Sequence, residues 1–161
     1  LIENGCKKIL HFIGNTKVES PYHERHYEFE RIMKENNIRT ICYELEWNRL
    51  DAQYYREAVK DVMSQNIDFD GVFGVDRLAI ECMNEVIRRH KKVPRDVKFV
   101  AYDGTYITEM VEPELTAIVQ PIGGLAKESA RLICKLINGK IYKDKNIILN
   151  VELKKRKTTI V

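Results

Sequence analysis

The sequence predicts an α/β domain: a doubly wound parallel sheet with helices on both faces. Three observations predict it. Short β-rich apolar runs alternate with longer stretches of helical period. The first such run, Lys8 to Gly14, is apolar enough to be buried on both faces, as strands of parallel sheets are. No repeat of 20–50 residues and no low-complexity linker interrupts the alternation. Strand, helix, strand, helix at this spacing means right-handed βαβ units.

Each element follows in order. After the first strand, Ser20-Pro21 supplies an N-cap and a proline at the first helical position. The helix places Tyr22, His26, Phe29 and Met33 on one stripe and ends near Asn36-Asn37. Ile38 to Glu44 is the second strand. Asp51 opens a helix with Tyr55, Ala58, Val59, Val62 and Met63 inward. Phe69 to Val75 is the third strand, and Asp76 is expected to cap the next helix, which carries Leu78, Ala79, Cys82, Met83, Val86 and Ile87 inward. Pro94 breaks the chain before a fourth strand, Val97 to Tyr102, which leads into Asp103-Gly104. Thr105 to Val111 reads as a short helix and Leu115 to Val119 as the fifth strand. A last helix runs from Ile122 to Asn138, with Gly139 as its C′ residue. The tail holds β-prone pieces at 147–149 and 158–160.

With 161 residues and 44% hydrophobic content, the chain can bury one sizeable core. No apolar run approaches the roughly 18–20 residues that span a membrane, and Leu1 to Gly5 has neither the basic start nor the apolar stretch of a signal peptide. Cys6, Cys42, Cys82 and Cys134 are widely spaced among apolar residues, a pattern of buried thiols in a reducing cytoplasm. The 27 basic residues are mixed with 24 acidic ones for a net charge of +3, unlike a free-standing nucleic-acid module. The one basic run, Lys154 to Lys157, reads as a solvated strand end.

In an open parallel sheet, ligands sit beyond the carboxyl ends of the strands. The residues expected there are Asn15, Glu44 to Trp47, Val75-Asp76, Asp103-Gly104 and Gln120. No nucleophile elbow, P-loop or dinucleotide-binding turn stands among them. Gly123-Gly124 before a helix is a weak phosphate signal. His23 and His26 stand three apart, and such a pair without a partnered carboxylate or Cys is no metal motif. An enzyme would have to use Asp76 and Asp103 as an acid/base pair, with no cofactor implied, whereas a strand-end aspartate suits hydrogen bonds to a ligand. What converges instead suits a polar, hydroxylated molecule. Arg25 offers a planar fork of donors, Asp103 accepts from hydroxyls, Gln120 donates and accepts, and Trp47 can stack on a ring.

The chain resembles the effector-binding domain of lactose-repressor/galactose-repressor-type transcription regulators, in its C-terminal part. Gly5-Cys6-Lys7-Lys8-Ile9 matches the family's G-[HC]-[RK]-[RK]-I, and Arg25-His26-Tyr27-Glu28-Phe29 its R-x-x-G-[FY]. Asp76-Arg77-Leu78-Ala79 matches D-x-x-A. The most specific stretch is Val93-Pro94-Arg95-Asp96-Val97-Lys98-Phe99-Val100-Ala101-Tyr102-Asp103, followed by Leu115-Thr116-Ala117-Ile118-Val119-Gln120-Pro121 and Arg156-Lys157-Thr158.

The resemblance implies one lobe of a two-lobe, periplasmic-binding-protein-like domain. Residues 1–120 would form the C-terminal lobe and 121–161 would cross back to an N-terminal lobe. The helix-turn-helix headpiece, hinge and first lobe of the family lie outside this chain. Leu125, Leu132, Ile133, Leu136 and Ile137 would then lack part of their cover. The implied partners are a small-molecule effector held by Arg25, Trp47, Asp103 and Gln120, a second copy in a homodimer, and operator DNA through the headpiece alone. A sugar-binding receptor of a transport system shares the architecture and is the alternative. Three positions depart from the family pattern. Glu28 replaces a glycine, Val75 a residue often polar, and Gly104 a frequent second Asp.

Overall fold

In the computed structural model, residues 1–14, 21–46, 49–139 and 146–160 are described, with 21 and 22 by backbone alone. Strand β1 (Lys8–Ile13) is buried along almost its whole length, as its unbroken apolar run requires. Helix α1 (Pro21–Glu35) leads to β2 (Arg39–Glu44), α2 (Ala52–Ser64) to β3 (Gly71–Val75), and α3 (Asp76–Arg88) to β4 (Lys98–Asp103). A 3-10 turn (Tyr106–Glu109) precedes β5 (Thr116–Val119). Helix α4 (Ile122–Ile137) and a short β6 (Glu152–Lys154) complete the chain. Ser20, the expected cap of α1, lies outside the described residues. Asp51 does cap α2, its carboxylate accepting the Tyr54 amide at 2.8 Å.

The sheet order is β2-β1-β3-β4-β5-β6. The first five strands are mutually parallel, and β6 runs antiparallel to β5, pairing Ile118 with Leu153. The sheet is thus the expected parallel one, with a single antiparallel strand added at this edge. The tail strand is not where the β-prone pieces stood: residues 147–149 and 158–160 form no strand, and 152–154 do. Pairing is decided here by the open edge of β5, which propensity alone does not see.

Two cores follow from the period-2 alternation of the strands. Leu10, Phe12, Val72, Phe99, Ala101 and Ala117 face α2 and α3, where Val59, Val62, Leu78, Ala79, Cys82, Met83 and Val86 close over them. On the opposite face Cys6 and Ile9 pack under Phe29 and Met33 of α1. The helices therefore cover both faces of the sheet, and the polarity of the winding reverses between β1 and β3.

Three further expectations need correction. Cys6 and Cys82 are buried, but Cys42 and Cys134 are exposed, because Cys42 lies on the edge strand β2 and α4 buries no residue at all. Asp76 does not cap α3. Val75 occupies the cap and Asp76 is the first helical residue, so its carboxylate is free to bond elsewhere. Within the basic run, Lys154, Lys155 and Lys157 are solvated, but the Arg156 side chain is only 9% exposed. Its guanidinium donates to the Leu115 carbonyl at 2.8 Å and to Glu109 at 2.6 Å.

Residues 121–161 divide in two. Leu125, Ile133, Leu136 and Ile137 of α4 are exposed, with Leu132 half-buried. Residues 152–159 instead return to the sheet. Thr158, fully buried, donates to the Phe99 carbonyl and accepts the Thr116 amide, both at 2.8 Å.

Candidate functional site

The reversal of winding leaves a crevice where β1 and β3 end, since the connections from these two strands leave toward opposite faces. Its deep end is a recess of about 20 Å³ lined by His11 to Gly14, Phe73 to Val75, Tyr102 and Arg25. Arg25 stands in the first turns of α1, and its guanidinium carbon lies 3.9 Å above the centre of the Tyr102 ring. Such stacking orients the guanidinium plane. Alternation along β4 puts Tyr102 on the α1 face, one residue before Asp103 turns the chain. Tyr102 was not singled out from the sequence, although its place beside Asp103 at a strand end was the available signal.

Asp103 has φ +116°, a positive angle uncommon outside glycine. Two neighbours hold it there. The Gln120 backbone amide donates to the Asp103 carbonyl at 3.1 Å, and the Gln120 side chain donates to Oδ1 at 2.6 Å. Behind it, the buried Asp76 carboxylate accepts the Gly104 amide (3.0 Å), the Thr105 amide (2.6 Å) and the Thr105 hydroxyl (2.7 Å). Burial pushes the Asp103 carboxyl above its ordinary 3.8. The Gln120 hydrogen bond opposes this, the Asp76 charge adds to it, and the Arg25 charge opposes it. Gly104, at φ +63°, is fixed by space as well as by angle: a Cβ there would stand 2.6 Å from Val119 Cα. A second Asp, which the family pattern would place at this position, has no room on this backbone.

Of the four residues expected to hold a ligand, the structure brings Arg25, Asp103 and Gln120 to one sheet edge. Trp47 lies outside the described residues, as does Asn15. Glu28, in place of a family glycine, points to solvent, and the Arg31 side chain donates to it at 2.5 and 2.9 Å without disturbing α1. His11 is buried beneath α1, which lowers its pKa to about 4 and leaves the ring neutral. Val75 lines the recess and offers no polar group.

A larger concavity, about 810 Å³, adjoins the recess on the sheet face beside α1 and shares Arg25, Phe73 and Tyr102 with it. Phe29, Ile32, Met33, Val100, Ile118 and Leu153 line it. Its walls are largely apolar, whereas Asp103 and Gln120 stand together at the strand ends, so the crevice there is the better site for a hydroxylated ligand despite the small recess.

Fold and crevice together define a doubly wound α/β sheet with a crevice at its switch point. The chain belongs to the periplasmic binding protein-like domain family, whose model matches residues 1–159. It is 28% identical over 160 residues to the ribose operon repressor of Halalkalibacterium halodurans, covering 99% of this chain and 47% of that protein. It is 33% identical over 141 residues to the sucrose operon repressor of Lactococcus lactis subsp. lactis, covering 86% of this chain and 42% of that one. Among solved structures, it superposes with a TM-score of 0.84 on a periplasmic binding protein/LacI transcriptional regulator from Alkaliphilus metalliredigens complexed with D-xylulofuranose. That pair is 29% identical, with 99% of this chain and 59% of the other covered. The chain thus spans about half the length of the curated relatives it matches. Those relatives are regulators, and no helix among the described residues is long and apolar enough to cross a membrane.

Proposed function

We propose that this chain is the effector-binding part of a bacterial-type transcription repressor, holding a sugar or related polar metabolite. The observation that carries the reading is the meeting of Arg25, Asp103 and Gln120 at the carboxyl edge of the sheet, with Arg25 stacked on Tyr102. In this reading Arg25 donates two parallel hydrogen bonds, Asp103 accepts from hydroxyls, Gln120 fixes Asp103 and takes a further contact, and Trp47 covers an apolar face. That the relatives named above are repressors of ribose and sucrose operons supports a carbohydrate effector, and favours a regulator over a transport receptor.

Residues 1–120 are then one lobe and α4 the crossing into a second, with 152–159 returning to the first. The exposed apolar side of α4 supports that division. Effector binding would close the lobes and shift DNA-reading headpieces elsewhere in a cytoplasmic homodimer. No step of this scheme needs catalysis.

The test is calorimetry of the whole protein against pentoses and disaccharides, with operator-fragment binding as second readout. A sugar should bind and alter DNA affinity, and Arg25→Ala should lower sugar affinity about 10- to 100-fold with unfolding unchanged. Sugar affinity unaltered by Arg25→Ala overturns the assignment.

A further inference from the structure

The sequence alone gives His26 no metal-binding partners, but the fold supplies two. His26 and Glu30 are four apart and share one face of α1. Beneath them β2 pairs with β1 so that Cys42 lies beside His11, on the side of the sheet that α1 covers. A ring nitrogen of His26, a carboxylate oxygen of Glu30 and the Cys42 sulfur all lie within 4.8 Å of one another. We propose that His26, Glu30 and Cys42 form a binding site for a borderline divalent transition metal, Zn²⁺ above all, with the fourth position open.

The donor set selects the metal. Thiolate, imidazole and carboxylate together fit Zn²⁺ and its neighbours and disfavour Mg²⁺ and Ca²⁺, which take oxygen. Tetrahedral bonds of about 2.0–2.3 Å place ligand atoms roughly 3.3–3.8 Å apart. His26 Nε2 and Glu30 Oε1 are already 3.6 Å apart. Cys42 must swing in only slightly, and it is exposed on an edge strand, which gives the ion an entry path.

The His26 ring is also short of hydrogen-bond partners. His26 is only 9% exposed, yet its Nδ1 has no hydrogen-bond partner. The 3.6 Å from Nε2 to Glu30 is itself beyond an ordinary hydrogen bond. Buried imidazoles normally satisfy their nitrogens, and an ion on Nε2 would give that nitrogen the partner it lacks, with the proton then held on Nδ1. The neighbouring His11 does not compete, because its Nδ1 faces the Phe73 carbonyl at 3.3 Å. An ion here would tie α1 to the edge strand one residue away from Arg25.

The experiment is titration of the reduced, chelator-treated full chain with Co²⁺, followed by displacement with Zn²⁺. One equivalent should bind, with a thiolate-to-cobalt charge-transfer band in the near ultraviolet that Zn²⁺ abolishes. Cys42→Ser should remove the band, and Glu30→Gln, at an exposed position, should keep the band while weakening affinity about tenfold. Cys134→Ser should change neither. A band that survives Cys42→Ser, affinity indifferent to Glu30→Gln, or no band in the parent chain each overturns the site.

Discussion

The Gln120 side chain donates to the Asp103 carboxylate at 2.6 Å, and the adjoining backbone pairs Asp103 with Val119. Residues 17 positions apart thus act as one unit at the mouth of the crevice. The cost is a half-buried carboxylate held above its ordinary pKa, chiefly by burial.

Asp103→Asn therefore trades binding for stability. With its pKa raised, the folded chain keeps the Asp103 proton after the unfolded chain has lost it. Its contribution to stability falls as pH climbs from 3.8 through the folded-state value, and stays low above that. Asn keeps an acceptor for Gln120 and never ionises. The variant should melt about 2 °C above the parent at pH 7 and level with it below pH 3.8. Sugar affinity at pH 7 should fall roughly 10- to 100-fold, the value of a charged acceptor. Calorimetric melts at both pH values check the sign, and a pH-independent difference would refute the burial account.

Asp76→Ala should be far more costly. Two amides and a hydroxyl converge on this buried carboxylate, and an alanine leaves the amides with little water to replace it. A loss of about 2–4 kcal/mol is expected in denaturant unfolding of the ligand-free chain. Asp76→Asn should recover part of it, since one oxygen still accepts. A neutral Asp76→Ala would mean that the 103–105 turn holds without its anchor.

These two aspartates show what the sequence carried and what it did not. The alternation of runs and the i, i+3, i+4 spacing of Leu78, Ala79, Cys82, Met83 and Val86 placed sheet and helices, because burial of an apolar face is a local pattern. The strand-end position of Asp103 was legible for the same reason. Asp76 looked like a cap because Asp before a helical run usually is one. Only the approach of the 104–105 backbone, set by the β3–β4 register, gives it another employment. Cys42 was misread as buried because edge position is a property of strand order, which no local window contains.

Gly104→Ala should report how tightly β4 and β5 close behind the site. The added Cβ would meet Val119 Cα and Cγ2, both at 2.6 Å, and the strand cannot yield without breaking the pairing of Asp103 with Val119. A destabilisation of about 2 kcal/mol or more is expected, from overpacking and the positive φ together. Chemical denaturation measures it. Gly123→Ala, where nothing lies within 4 Å, is the control and should stay within about 0.5 kcal/mol.

Thr158→Val tests whether the returning tail is part of the lobe's core. Valine keeps the shape but offers neither the proton that Thr158 gives the Phe99 carbonyl nor the oxygen that accepts the Thr116 amide. Both partners belong to central parallel strands and have no water within reach, since Phe99 and Thr116 are themselves buried. Each stranded group costs about 1–3 kcal/mol, so the variant should lose roughly 2–4 kcal/mol and Thr158→Ser under 1 kcal/mol. The Arg156 guanidinium, clamped between the Leu115 carbonyl and Glu109, should loosen with it. Limited proteolysis would then cut the valine variant after Lys154, Lys155 or Arg156 well before the parent. Equal protection of the two chains would mean that β6 alone, three residues long, holds the tail in place.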